Sequence, residues 1–281
     1  MVGTVRLVHL SDIHFGIHCD LAQVRALERF VAEQAPTATV LAGDLTQRGR
    51  HGEFQRALVF VETLQRTAPV LVIPGNHDVE WWKSLFHLFG TRVLYRKYRQ
   101  YFGEDLTPSL EVPGAILAGA LSAYGIAPGS MTWNLNDMAV KGHLPARETD
   151  RLAARFAAAD PALVRVAVLH HNVLRGKISR RMGLAHWQSA QRRLGATGAD
   201  LVLCGHDHQE SAGQLESGAV VVSSSTHSNR TRGGHPSVFN LIEVDATQVV
   251  VRQQRWDAGS GASHPAEAHR FSRLPRASRP G

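Results

Sequence analysis

Short apolar runs, each closed by a small cluster of Asp, Asn or His, recur along this chain and limit what it can fold into. Asp12 and His14 follow Val5 to Leu10, and Gly43-Asp44 follows Thr39 to Ala42. Gly75-Asn76-His77-Asp78 follows Pro69 to Ile73, His170-His171 follows Val164 to Leu169, and Gly205-His206-Asp207-His208 follows Leu201 to Cys204. Brief β-branched and aliphatic runs bounded by turn formers read as buried strands. Between them, residues 22–35 carry Val24, Leu27 and Val31 at helical spacing, with Asp20 as a candidate N-cap. Residues 53–66 present Phe54, Leu58, Val61 and Leu64 in the same way, and 147–159 and 186–194 also read as helices. Strands alternating with helices imply βαβ units and a mainly parallel sheet. In such sheets ligands bind beyond the carboxyl ends of the strands, where these clusters sit. Residues 115–120, 219–223, 237–244 and 248–254 complete the predicted strands, the last two joined as a hairpin through Asp245-Ala246-Thr247.

The clusters contain carboxylate, amide and imidazole groups and no thiolate. Hard oxygen with imidazole nitrogen suits a divalent Mn, Fe, Zn or Co ion rather than a sulfur-rich structural zinc site. The donors exceed what one ion needs, so the chain reads as a hydrolase with two divalent metal ions. Asp12 with His14, and His206 with His208, stand two residues apart, which in an extended segment aims both side chains one way. Gly43, Gly75 and Gly205 precede three of the clusters and allow sharp turns there.

The remaining features bound the problem. With 281 residues, 43% of them hydrophobic, the chain can bury one large core. No apolar stretch is long enough to span a membrane, and residues 1–10 already read as a strand, so no signal peptide and a cytoplasmic location are expected. Cys204 sits inside an apolar run as a buried hydrophobe, and a disulfide with Cys19 is not expected. The net charge of +7 suits an anionic substrate and is too modest to select a nucleic-acid partner. Residues 1–256 read as one catalytic domain. Residues 257–281, rich in Ser, Ala, Pro, Gly and Arg, read as a disordered basic tail.

Taken in order, Ser11-Asp12-Ile13-His14, Gly43-Asp44, Gly75-Asn76-His77-Asp78, His170 and Gly205-His206-Asp207-His208 resemble the motifs of the calcineurin-like metallophosphoesterase superfamily. The flanking Asp12-Ile13-His14-Phe15-Gly16 is similar to bacterial members, and the likeness covers roughly residues 5–245. The chain departs from many relatives in reading His170-His171-Asn172 where His-His-Pro is common. The resemblance implies an α/β fold, a four-layer α/β/β/α sandwich with mixed sheets. It implies Asp12, His14 and His208 on one metal, Asn76, His170 and His206 on the other, and Asp44 bridging them. It also implies that His77 contacts the phosphate and protonates the leaving oxygen, with Asp78 holding its other ring nitrogen. The reaction implied is attack on phosphorus by a hydroxide bridging the two ions.

Substrate class is less constrained. The bacterial motif style points to a phosphodiesterase for cyclic nucleotides or similar small diesters. Alternatives are a UDP-sugar-lipid pyrophosphatase of lipid A synthesis and a DNA nuclease, while a non-enzymatic scaffold fits poorly with a full ligand set. Arg175, Lys177, Arg180 and Arg181 are candidates for substrate anion contacts or a solvated loop. Trp81, Trp82, Phe86 and Phe89, in a helix expected to run to Tyr101, are candidates for a base or acyl pocket or a core-facing stripe. His143, His227 and His235 are expected at the surface. The oligomeric state is open.

Overall fold

A computed structural model describes residues 3–79, 93–124, 141–229, 231 and 233–273. Two six-stranded sheets carry the fold. The first has the order β12-β11-β10-β1-β2-β3 and the second β4-β5-β6-β7-β9-β8. In the first, β1 (Val5–Leu10), β2 (Ala38–Ala42) and β3 (Val70–Ile73) are parallel. β10 (Val238–Val244) returns antiparallel on the other flank of β1, followed by β11 (Gln248–Asp257) and β12 (Ala262–Ser272). In the second, β5 (Ala115–Gly119), β6 (Val164–Val168), β7 (Leu201–Cys204) and β9 (Val220–Ser223) are parallel. Antiparallel edges β4 (Ser109–Val112) and β8 (Ser211–Gln214) close it. Both sheets are therefore mixed.

Side-chain alternation explains the layers. Val5 and Leu7 join Val40, Ala42, Leu71 and Ile73 against Leu117, Val166, Val168, Leu203 and Val222 of the second sheet. Val8, Leu10 and Leu41 face the other way, onto Val24, Leu27 and Val31 of α1 (Leu21–Gln34) and Phe54 and Val61 of α2 (His51–Gln65). Tyr98 of α3 (Arg96–Phe102) joins that cluster. Ala118, Ala167, Val202 and Cys204 pack outward onto Leu152 and Phe156 of α4 (Ala146–Ala158) and Leu194 of α5 (Trp187–Ala196). Strands covered on both faces are nearly all apolar, as β7 is throughout and β2 is apart from Thr39. The result is the expected α/β/β/α order of layers.

Asp20 caps α1, its Oδ1 accepting from the Ala22 and Gln23 amides at 2.9 and 3.3 Å. The predicted hairpin forms, with Asp245 N bonded to Gln248 O. Both cysteines are free thiols. Among the described residues no helix is long and apolar enough to cross a membrane. The aromatic segment Trp81–Phe89 lies outside the described residues.

The segment beyond Asp257 corrects its expected disorder. Ala262–Ser272 pairs along β11 as an edge strand, from Asp257↔Ala262 to Gln248↔Ser272. Backbone bonding, not core burial, orders most of it, since its side chains are largely exposed. Its far end is anchored to the second sheet. Phe271 packs against the inter-sheet core, and Arg273 reaches Asp200 at 3.1 Å beside the second sheet. Pro265 and the charged residues of β12 suit an edge that repels further strands.

Candidate metal centre

The five clusters meet beyond the carboxyl ends of β1, β2 and β3 in one sheet and β6 and β7 in the other. Backbone bonds continue past the strand ends and hold the loops in step. Asp12 N donates to Gly43 O and His14 N to Asp44 O, both at 3.0 Å, and Gly205 N donates to His170 O at 2.8 Å. These segments are not extended, contrary to the simple reading of their two-residue spacing. Asp12, His14, Asp44, His206 and His208 have φ of 55°, 52°, 52°, 74° and 56°. Left-handed backbone costs a non-glycine residue roughly 1–2 kcal/mol, and such strain concentrates where side chains must be aimed. The paired ligands converge because each dips into this region, on either side of Ile13 or Asp207.

Glycine makes the close approach possible. A Cβ on Gly75 would overlap the Asp44 carboxylate, and one on Gly205 would overlap Ser11 Oγ and Asp12 Oδ2.

Two donor groups result. In the first, His14 Nε2 and His208 Nε2 lie 3.0 Å apart, and Asp12 Oδ1 is 3.4 Å from the latter and 3.7 Å from the former. In the second, Asn76 Oδ1 is 3.0 Å from His170 Nε2 and 2.9 Å from His206 Nδ1. Asp44 Oδ2 stands between them, 3.8 Å from His14 Nε2 and 3.3 Å from His170 Nε2. Asp12, His14, Asp44 and His170 are buried, whereas Asn76, His77, His206 and His208 are partly open to solvent.

The donors fit divalent ions. Ser11 Oγ and the His206 amide take Asp12 Oδ2, leaving Oδ1 buried without a hydrogen-bond partner. Such an orphaned carboxylate oxygen beside two imidazoles needs a cation. His170 Nδ1 faces Ala42 O at 2.8 Å, which turns Nε2 toward Asp44 and fixes the ring as outer partners of metal-binding histidines do. Burial opposes ionisation of Asp44, yet His170 and His77 hold its carboxyl well below the ordinary value. Burial likewise opposes charge on His170, but Asp44 lifts it to about 9, so a metal displaces a proton there. Burial lowers His14 to about 3 and leaves its ring neutral and able to ligate.

His77 stands beside both groups. Its amide donates to Asp44 Oδ1 and its Nδ1 meets Gln47 O, each at 2.8 Å. Its ring packs edge-on to His14 with centroids 4.8 Å apart, and it forms a potential ion-holding triad with His14 and Asp44. The expected contact with Asp78 is absent, because the Gln47 carbonyl occupies that nitrogen. Asp78 is spent instead on main chain. Its two oxygens accept from the Leu45, Thr46 and Gly75 amides and the Thr46 hydroxyl at 2.8 to 3.1 Å. Burial and the Asp44 charge raise it to about 6.

Of the pair after β6, His170 faces the donors. His171 turns to Ser122 Oγ at 2.9 Å while its ring lies 4.3 Å from that of His206. His227, expected at the surface, is buried. Its amide and the Thr226 hydroxyl both donate to Asp12 O, at 3.1 and 2.7 Å. The run Ser223 to Ser228 reads as a polar loop, but its hydroxyls are consumed internally and it clamps the left-handed Asp12 from behind. His143 is half-buried and His235 exposed. Sequence reasoning placed Ser11 in the first motif without a role, and missed the buried His9 on the inner face of β1.

The calcineurin-like phosphoesterase family profile matches residues 5–210, which include every cluster. Over 111 residues the chain is 32% identical to a zebrafish (Danio rerio) transmembrane protein with a metallophosphoesterase domain, covering 37% of the chain and 24% of that protein. Over 86 residues it is 34% identical to a probable cyclic nucleotide phosphodiesterase of Pseudoalteromonas sp. SM9913, covering 26% of the chain and 31% of that protein. The chain thus spans under a third of the length of either relative. Among solved structures, a dimetal phosphatase from Danio rerio aligns over 96% of the chain and 99% of its own, at 13% identity and a TM-score of 0.65. GAP50, the anchor in the inner membrane complex of Plasmodium, aligns over 97% and 90%, at 13% identity and a TM-score of 0.58. These two share the sandwich just described. The donor geometry and the family match fall on the same loops, and the chain belongs to the calcineurin-like phosphoesterase family.

Proposed function

We propose that this metal-dependent phosphoesterase is a phosphodiesterase for small diesters, cyclic nucleotides foremost. The observation that carries the reading is the convergence of six oxygen and imidazole donors around Asp44 with His77 at their side. The Pseudoalteromonas relative supports the diester class. Asp12, His14 and His208 suit one divalent ion, Asn76, His170 and His206 a second, and Asp44 both. Mn, Fe, Zn or Co ions bound there supply Lewis acidity to the phosphoryl oxygens, neutralise developing charge and acidify water. His77 then handles the leaving group. The Gln47 carbonyl can only accept, so Nδ1 keeps its hydrogen and Nε2 is the atom that gives and regains a proton. The Asp44 contact to its amide holds that ring in place.

A diester carries one charge and two substituents, so it needs room on both sides of phosphorus and less positive charge than a dianionic monoester. Arg175, Lys177, Arg180 and Arg181 stand on a loop and not among the donors. Bis-nitrophenyl phosphate is therefore expected to show a higher kcat/KM than nitrophenyl phosphate at neutral pH with Mn, and cyclic AMP to be turned over. A tenfold advantage for the monoester replaces the phosphodiesterase with a phosphatase.

A further inference from the structure

Residues 174–182 begin three positions after His171 and hold Arg175, Lys177, Arg180 and Arg181 with no acidic residue. All four cations are exposed, and none forms an ion pair among the described residues. A merely solvated basic loop needs no anchorage, yet this one is bolted down. Ser179 Oγ donates to Asp207 Oδ2 at 2.6 Å, and Ile178 N donates to Gln209 Oε1 at 2.7 Å. Asp207 lies between the ligands His206 and His208, so the loop is fixed to the turn that aims both imidazoles. The loop is also closed on itself, by Gly176 N to Arg181 O at 3.0 Å and Arg180 N to Gly176 O at 2.9 Å. A Cβ on Gly176 would overlap the Asp207 carboxylate, and Arg180 takes a left-handed φ of 54°. At its base, Asn172 Nδ2 donates to Leu174 O at 2.8 Å. The loop is thus framed between His170 on one side and His206 and His208 on the other.

The geometry points to a second anion subsite, in which this loop receives a further phosphoryl group of a small substrate, distinct from the one being cleaved. Two features argue for phosphoryl. Guanidinium forks match its oxygens in pairs, and the four cations meet no internal acid that would cancel them. The inference rests on the donor centre being the seat of the scissile phosphate. Within the proposed diester class it favours small substrates that carry a second phosphate over those that carry one.

Calorimetric titration of the Mn-loaded full chain with adenosine 5′-monophosphate and with adenosine 3′,5′-bisphosphate tests this. The bisphosphate is expected to bind at least tenfold more tightly than the monophosphate. That ratio is expected to fall to within twofold in a variant combining Arg175→Gln, Lys177→Gln, Arg180→Asn and Arg181→Gln. Ser179→Ala retains every cation but loosens the anchor, and is expected to lower the ratio at least threefold. Equal affinities in the unaltered chain, or a ratio that neither variant changes, overturn the proposal. Hexathymidylate repeats the same group along a strand, and tighter binding of it than of the bisphosphate overturns the small-substrate assignment. Diester turnover is scored separately. An active diesterase without bisphosphate preference condemns the loop subsite alone, and a chain with that preference but no diester turnover condemns the phosphodiesterase reading.

Discussion

Asp44 shares its two oxygens between duties, Oδ1 toward the His77 amide and Oδ2 between His14 and His170. Among the described residues no other carboxylate stands between the two donor groups. Asp44→Ala is therefore expected to lose both ions and all turnover, and elemental analysis finding two ions per chain in that variant would remove the bridging role. His77 is expected to behave differently, because Asp12, His14 and His208 form one group without it and Asn76, His170 and His206 another. His77→Ala should keep its metal and lose about 10²- to 10⁴-fold in turnover, the usual worth of general acid catalysis. The loss should be larger for an alkoxide leaving group than for nitrophenolate, which departs unprotonated. Equal losses for both, or loss of an ion, would assign His77 to positioning or ligation. At this scale the ligand types and their order were legible, because each cluster ends an apolar run. The left-handed backbone of five ligands was not, since Asp, Asn and His only tolerate that region and do not require it. Nor was the diversion of Asp78 to backbone amides, which depends on how β2 and β3 lie together.

Among the elements, the central strands and the edge strand β3 were readable, and the edges β4, β8 and β12 were not. β2 and β7 are buried throughout and almost wholly apolar, and β1 and β6 are interrupted only by Arg6, His9 and Arg165. By contrast β4, β8 and β12 bury few side chains fully; the first two are absent from the predicted strands and the third reads as a disordered tail. An edge strand is defined by the backbone of its neighbour, which a sequence pattern does not show. The same argument predicts what β12 is for. It covers the open flank of β11 and ties to Asp200 through Arg273 and to Gln214 through Ser272 O. Ending the chain after Asp257 is expected to lower the melting temperature by roughly 5 °C, corresponding to ~2 kcal/mol, and to promote association through the bared edge. Metal content should persist, since β11 and β10 still separate that edge from β1. Differential scanning calorimetry and light scattering check this, and an unchanged melting temperature would show that β12 contributes nothing to the fold.

The molecule as a whole holds an unusual load of polar groups at its centre. His9, on the inner face of β1, and His227, in the loop after β9 with its ring against Phe239, are both buried, each with an unpartnered Nε2. Burial lowers His9 to about 3 and His227 to about 4. A histidine whose folded value lies below the unfolded 6.5 binds fewer protons in the native state. Its contribution is complete above pH 6.5 and is lost as pH falls toward the folded value. For His227 alone, moving from pH 7.5 to 4.5 is expected to cost about 2 kcal/mol. His227→Phe should shrink the difference in urea unfolding between these two pH values by that amount, and an unaltered difference would place the acid sensitivity elsewhere. Asp78 acts oppositely, its raised value of about 6 giving stability below 3.8 that is lost as pH rises through 6. The first strand has one further consequence. β1 supplies Asp12 and His14, yet one of its flanks is filled only when Val244 pairs with Val5, and the donors His206 and His208 also come late. During synthesis the earliest catalytic residues therefore wait for the latest ones, and a product released before His208 has no complete site.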